Sequence, residues 1–421
     1  MTQSAAAGIF AKSASSSRKR QVVIAGGGIA GLTAALALEQ RGFAVTVFER
    51  AAELPSEGAG LQLSPNATRL LARLGVLQKL TACAVEVQSI NLLSGAAKPL
   101  LSLDVTDSGR RWGAPYLAAH RADLAAALLH EAKARSAINI RFGAEVTHFA
   151  GHANGITASV TSDQGIGEVE GIFLVGADGA RSRIGGELLN PAPKFTSYVA
   201  HRAMAVDRAA LPQPLLHLLE RRIVGAFLAP GAHLIAYPLR AGAELNLVCV
   251  TRSDAPPQQQ GSQPGALISA PVAAQFAPEI AEFLNRRKWT QWPVFARQAA
   301  AKWSNGKNVM LIGDAAHAAV PFAAQGAAMA IEDAWTLANC LYANRDNLQR
   351  APACYEQLRR TRIKRIAWRA ALNGRAYHAS GVAAAARNAL FAFRGQKMLD
   401  GLDWIYGYDP GGQPDITTKA R

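Results

Sequence analysis

The chain has 421 residues, 50% of them hydrophobic and 18% charged, with 45 basic against 30 acidic side chains and a net charge of +15. That length exceeds a single core, so two or more domains are expected, and the composition is ample for packed interiors. The basic surplus is mostly scattered, and no RNA-binding signature, zinc-finger spacing or aromatic–basic interleaving accompanies it, which excludes a nucleic-acid stripe.

The first twenty residues, MTQSAAAGIFAKSASSSRKR, are basic and Ser/Ala-rich and lack the long apolar region of a signal peptide. A disordered basic tail over residues 1–20 is expected, a transit peptide being the alternative. Val22 to Ala25 then reads as a strand, Ile29 to Arg41 as a helix and Ala44 to Phe48 as a second strand. Between the first strand and the helix stand Gly26, Gly28 and Gly31 in GxGxxG spacing, and Glu49 follows the second strand, eighteen residues past Gly31. Glycines there let the backbone turn tightly and approach a pyrophosphate resting on the helix N-terminus, while the acid accepts from ribose hydroxyls. In a βαβ context this points to an adenine dinucleotide without choosing between NAD and FAD.

SPNATRLLARLG reads as a helix with Ser64 at its cap and Pro65 in its first turn. VEVQSINLLSG reads as an antiparallel strand, and HRADLAAALLHEAKARS as a helix opening near Arg121. INIRFGAEVTHFAG and GITASVTS alternate as strands. VGADGARSRI ends a strand at Asp178 and Gly179; alone, it is equally an ordinary turn with Asp178 capping the next helix. In GAHLIAYPLRAGAELNLVCVT, read as antiparallel strands, His233, Ile235 and Tyr237 share one face by period two. Asp254 to Val272 is Gly/Pro/Gln-rich and reads as a loop.

NVMLI then ends at Gly313 and Asp314, and after Pro321 a helix opens at Gln325-Gly326-Ala327. Its first amides and positive dipole end suit a polar or anionic group. From Gly313 to about Leu399 the chain reads as mostly helical. The run RRTRIKR, Arg359 to Arg365, lies on a helix beginning near Tyr355 and reads as a solvated face. Cys83, Cys249, Cys340 and Cys354 form no CxxC pair, so neither a disulfide framework nor a metal site is expected, and buried thiols in a reducing compartment are. No apolar run is long enough to cross a membrane, and a cytoplasmic protein is expected.

The predicted fold is α/β. A Rossmann-like domain is assembled from residues 21–85, 105–190 and 305–345, a mostly antiparallel sheet domain from 86–104 and 191–304 is inserted in it, and helices close the chain over 346–421.

From about Gln21 to Pro410, the order GxGxxG, GADG and GDAAHAAVPFAAQGAAMAIEDA, with GAGLQLSPNATRLLARLG, HRADL, HLIAYPL and DWIYGYDP, resembles the single-component FAD-dependent aromatic hydroxylases. Salicylate hydroxylase and 3-hydroxybenzoate 6-hydroxylase are the nearest types, with the p-hydroxybenzoate hydroxylase-like fold. The resemblance implies tightly bound FAD, NADH or NADPH as co-substrate, O2, and hydroxylation of a small phenolic or heteroaromatic carboxylate through a flavin hydroperoxide. It implies no nucleic acid and no membrane span, and is compatible with a homodimer.

Carried onto matching positions, the resemblance gives Gly26, Gly28 and Gly31 the FAD pyrophosphate, and Glu49 the adenosine ribose, with Arg50 beside it. Arg121 takes the flavin-side diphosphate or ribityl chain, Asp178 a place near the pyrophosphate, and Asp314 a ribityl hydroxyl. Pro321, Gly326 and Ala327 face the isoalloxazine. His233 becomes the candidate base, Tyr237 an orienting hydroxyl and Gln325 a third polar contact to substrate. His201 is a weaker rival to His233, and Arg202 reads equally as a carboxylate contact or an exposed sheet residue. His317 is expected to be a local packing histidine, and Glu332 and Asp333 to make helix-surface bonds. The chain departs from the family pattern at Ala296, where an Asp often stands, and at Ala318, where a Pro usually does. The competing readings are a ubiquinone-pathway ring hydroxylase and a flavin-binding redox or partner protein without oxygenase activity. A halogenase is disfavoured because WTQWPV has the wrong spacing, and a plain NAD dehydrogenase leaves the two later motifs idle.

Overall fold

The computed structural model describes residues 20–55, 59–256, 263–297 and 301–411. Residues 1–19, most of the expected basic tail, lie outside the described residues, as do 257–262 of the expected loop. That loop nevertheless holds a strand, Gln263–Ala266, and a helical turn, Ala270–Ala273.

The strand Gln21–Ala25 is apolar on both faces because it lies inside a parallel sheet covered on both sides. Five parallel strands pair in the order Val309–Leu311, Phe173–Gly176, Gln21–Ala25, Ala44–Glu49 and Ile138–Phe142. The helix Ile29–Glu39, rich in alanine, packs against helices Arg121–Lys133 and Gly326–Ala343. Segments from the start, middle and last third of the chain thus form one dinucleotide-type layer.

A second sheet has eight strands in the order Gln263–Ala266, Trp289–Ala296, Lys194–Ala205, Glu244–Arg252, Ala232–Leu239, Ile223–Ala229, Ser89–Ser94 and Pro99–Asp104. It is antiparallel except where Ser89–Ser94 runs parallel to Ile223–Ala229; with its other neighbour, Pro99–Asp104, that strand pairs antiparallel as read. Period-two alternation sends Leu234, Ala236, Leu245, Leu247 and Cys249 to the back, where Leu215, Leu218, Ile280 and Leu284 of two helices seal them. The opposite face is turned toward the first domain.

The helix Ala351–Tyr377 corrects two expectations. Its buried face carries Tyr355, Arg359, Arg362, Ile363 and Ile366, so half of RRTRIKR points inward. Arg359 is fully buried and bonds Glu332 and Asp333, which are themselves fully buried rather than on a helix surface. His317 Nε2 lies 2.5 Å from Asp333 Oδ2 in a hydrogen bond, so it is not merely a packing ring. Charges this deep persist only when paired and hydrogen-bonded, and these are. The same two helices bring the Cys340 and Cys354 thiols to 2.8 Å, a contact that sequence distance did not suggest.

Candidate active site

The adjacent strands Gln21–Ala25, Phe173–Gly176 and Val309–Leu311 pair through Ala25, Gly176 and Leu311. Their C-terminal ends therefore release three loops side by side: Gly26–Gly31, Asp178–Gly179 and Gly313–Asp314. Ligands of open α/β sheets bind at this edge.

Gly26 has φ +105°, and a side chain there would overlap the Ala177 carbonyl. A side chain on Gly31 would overlap the Gly26 oxygen, whereas nothing lies within 4 Å of one placed on Gly28. Two glycines are thus required by the fold, and the third leaves open space at the helix start. The Glu49 carboxylate is aimed by the turn itself, accepting from Gly27 N at 2.7 Å and Ala51 N at 3.0 Å. Asp178 accepts from Ser182 Oγ (2.5 Å), Arg183 N (2.7 Å) and Ile184 N (3.1 Å), so it caps a short helix beside the glycine turn. Asp314 is exposed and its carboxylate has no hydrogen-bond partner among the described residues. Arg121 is exposed at the start of its helix, tethered through its amide to Ala59 O at 3.1 Å, and Arg50 is exposed beside Glu49. The helix Gly326–Ala343 has no side-chain cap, and Gly326 stands open at its end. The donor amides, the open Gly28 and the unpaired Asp314 fit a dinucleotide carrying a polyol, which is what FAD presents. In that fit Gly26–Gly31 and Glu49 would hold the pyrophosphate and ribose, and Asp314 would hold the ribityl chain.

The second sheet presents its front face to this edge. Strand register sets three rows: Ala200–Val250–His233, Arg202–Val248–Ile235 and Met204–Asn246–Tyr237. The first row is covered. Phe322, in the turn after Pro321, meets His233 and Tyr198 edge-on at 5.3 and 4.9 Å, and Tyr377 flanks His233 at 5.2 Å. The third row is closed by Gly60, whose amide donates to Asn246 Oδ1 at 2.9 Å. A side chain at Gly60 would lie 2.6 Å from the Tyr237 ring, so glycine alone allows that contact. Between the covers Arg202, Met204, Val248 and Ile235 remain half-buried and form the floor of a groove.

His233 and Tyr237 frame that groove, and burial alters both. Burial pushes the Tyr237 hydroxyl up, partly opposed by Arg202. Burial, with His378 adding to it, pulls His233 well below its ordinary value. His233 Nδ1 lies 2.6 Å from Nε2 of His378, so one proton is shared between two buried imidazoles. Gln325 differs from its expected role as a free substrate contact. It is buried, donates to Ser64 Oγ at 2.8 Å and accepts from Asn66 at 3.0 Å, which makes it a brace under the turn. His201 turns away from His233, its Nε2 lying 3.1 Å from the Thr251 hydroxyl.

Sequence reading missed His378, Gly60, Asn246, Ser64 and Asn66. The glycine in GAGLQL and the paired polar residues in SPN were visible signals; nothing local marked His378.

The chain matches the family model described as FAD binding domain over residues 19–369. It is 33% identical to the 3-hydroxybenzoate 6-hydroxylase of Polaromonas naphthalenivorans (strain CJ2), covering 93% of this chain and 96% of that protein. It is also 33% identical to the 3-amino-4-hydroxybenzoate 2-monooxygenase PtmB3 of Streptomyces platensis, covering 94% and 97%. Among solved structures, a salicylate hydroxylase substrate complex superposes with TM-score 0.77 at 22% identity over 94% of this chain and 98% of that one.

Proposed function

The chain belongs to the FAD-dependent aromatic hydroxylases, those like salicylate and 3-hydroxybenzoate hydroxylase, and from that premise we propose that it hydroxylates a small phenolic or heteroaromatic ring at the expense of NADH or NADPH. As a family member it is an FAD-dependent monooxygenase acting on small aromatic substrates. One observation carries the finer reading. The half-buried groove over Val248 and Ile235 is framed by His233 and Tyr237 and closed at its His233 end by Phe322, from the turn between Asp314 and the open helix end at Gly326.

FAD held by the glycine turn, Glu49 and Asp314 would supply the O2 activation that ring hydroxylation needs. The chain's own residues do the rest. The uncapped amides at Gly326 and Ala327 stabilise negative charge placed before them. Phe322 and Gly60 close the groove ends and exclude water, which protects the oxygen-transferring step. His233 is neutral near pH 7 and is the candidate group to take the ring hydroxyl proton at Nε2 when its Nδ1–H donates to His378. Tyr237 orients the ring from the other end.

The test is to load the purified protein with FAD and offer a panel of phenolic acids with NADH and NADPH. Substrate-stimulated oxidation with a product 16 mass units heavier (on the order of one oxygen atom) supports the reading. A yellow protein that is never reduced supports the binding-module alternative.

One observation favours a lipid-like ring as a second reading: Val382 and Phe393, on the helix Gly381–Arg394, are 87% and 88% exposed. Turnover only in the presence of vesicles or detergent would support it over soluble phenolic acids.

A further inference from the structure

We propose that Cys340 and Cys354 are a peroxide-oxidised pair that closes into a reversible disulfide and staples together the two helices bracing the cofactor cleft.

Cys340 lies in the last turn of the helix Gly326–Ala343, and Cys354 in the first turn of Ala351–Tyr377. These helices pack side by side, which brings two free thiols from 14 residues apart in the chain to 2.8 Å. A side-chain shift of less than ~1 Å brings the sulfurs to bonding distance.

Burial and helix polarity separate their roles. Cys340 is sealed from solvent, at 1% exposed, whereas Cys354 is half-buried. The positive end of a helix dipole favours a thiolate at Cys354, and the negative end disfavours one at Cys340. The contact with Cys340 draws the Cys354 pKa down, against burial and with Asn344 adding to it. The same contact, together with burial, drives the Cys340 thiol up. Cys354 is therefore the attacking sulfur and Cys340 the resolving one. The other two cysteines lack this arrangement. Cys249 is fully buried and burial pushes it up to about 12. Burial and Asp123 raise Cys83, whose sulfur meets only the Leu80 carbonyl, at 3.3 Å.

Hydrogen peroxide is the oxidant. The Cys354 thiolate attacks one peroxide oxygen, the O–O bond breaks, and the departing hydroxide takes a proton to become water. The Cys340 sulfur then attacks the Cys354 sulfenic acid, the S–S bond forms, and the hydroxyl leaves as a second water with the Cys340 proton. Two electrons pass from the sulfurs to the peroxide oxygens. Farther along the same two helices Arg359 joins Glu332 and Asp333, and Asp333 accepts from Gly313 N at 2.9 Å. The disulfide adds a covalent tie to that helix pair and closes a loop, which restricts the unfolded chain.

The experiment reduces the FAD-loaded protein with dithiothreitol, desalts it and adds hydrogen peroxide in modest excess. Trypsin cuts at Arg345 and Arg350, between the two cysteines, so the disulfide joins two peptides that reduction separates. The linked pair is expected at about 2 mass units below the sum of its parts, the two hydrogens lost. The thiol titre of the denatured chain should fall from four to two. The oxidised protein should melt a few degrees higher, on the order of the gain from closing such a loop in a chain of this size, and should lose FAD several-fold more slowly. Dithiothreitol should reverse both. In C340A, peroxide should stop at a sulfenic acid on Cys354 that dimedone traps, and in C354A residue Cys340 should stay unmodified. The proposal is overturned if the wild type keeps four free thiols, cross-links through Cys83, or forms the Cys340–Cys354 bond without slowing FAD loss. These three readouts need no variant to fold and no turnover, so they do not depend on the hydroxylase reading.

Discussion

Arg359 Nε donates to Asp333 Oδ1 at 2.7 Å, with both side chains sealed from solvent. The same guanidinium reaches Glu332 Oε2 at 2.7 Å, and Glu332 Oε1 accepts from Arg362 and from Asn66. Asp333 Oδ2 accepts from Gly313 N at 2.9 Å and meets His317. One buried network therefore pins the loop of Asp314, the helix of Gly326 and the Ser64–Asn66 segment to each other. These are the parts that define the cofactor cleft.

Arg359→Met leaves two buried carboxylates short of a partner. It should destabilise the fold by about 3–5 kcal/mol and weaken FAD retention together. Urea unfolding with and without added FAD measures both, and a variant of wild-type stability would remove the network from the account.

Acid sensitivity follows from the same network. Burial alone would raise the Asp333 carboxyl, but His317, the Arg359 guanidinium and the Gly313 amide outweigh it and hold the group well below the usual carboxylate range. Its folded pKa is depressed, so its contribution is present above the unfolded value of about 4 and is lost as pH falls below it. Histidines add an earlier slope. Burial pulls His201 and His378 to about 4. Between about 6.5 and 4 the unfolded chain binds protons that the folded one refuses, so stability declines as pH falls through that window. The urea midpoint should drop from pH 7 to pH 4.5 in the wild type and drop less in His378→Leu. Equal slopes would show that His378 is not held neutral.

The glycine turn separates fold from cofactor. Gly31→Ala collides with the Gly26 oxygen and should fail to fold or lose several kcal/mol, on the order of the overpacking penalty. Gly28→Ala meets nothing in the protein, so its stability should stay within about 1 kcal/mol of wild type while FAD affinity falls at least tenfold. Calorimetry of the two variants checks the contrast, and equal FAD binding by Gly28→Ala and wild type would contradict the placement.

The Asp314 carboxylate has no hydrogen-bond partner among the described residues. Asp314→Ala should leave the cofactor-free thermal midpoint unchanged and speed FAD loss during gel filtration by roughly tenfold, the worth of a charge-assisted hydrogen bond. Unaltered FAD retention would mean that the carboxylate does not reach the ribityl chain.

Much of this was legible in the sequence because the relevant signals are local. GxGxxG with Glu49 needs only thirty residues of context, and the period-two placement of His233 and Tyr237 needs five. What escaped depends on distant partners. The arginines at 359 and 362 share a helix face with Ile363 and Ile366, yet the run reads as solvated from sequence because their acids lie 26 to 30 residues away on another helix. Gln325 looked free because the apolar Pro-Phe-Ala-Ala turn before it offers no side-chain partner, yet its amide is consumed by Ser64 and Asn66 from the other end of the chain. His378 meets His233 across 145 residues, and no local pattern announces a contact of that range.

The most direct measurement is isotopic: the FAD-loaded protein is turned over with NADH or NADPH and its preferred phenolic acid under labelled dioxygen, and the product is weighed. The account predicts one labelled oxygen atom on the ring and reduced nicotinamide consumed in step with product. Unlabelled product, or nicotinamide oxidation that ignores the phenolic acid, would contradict it.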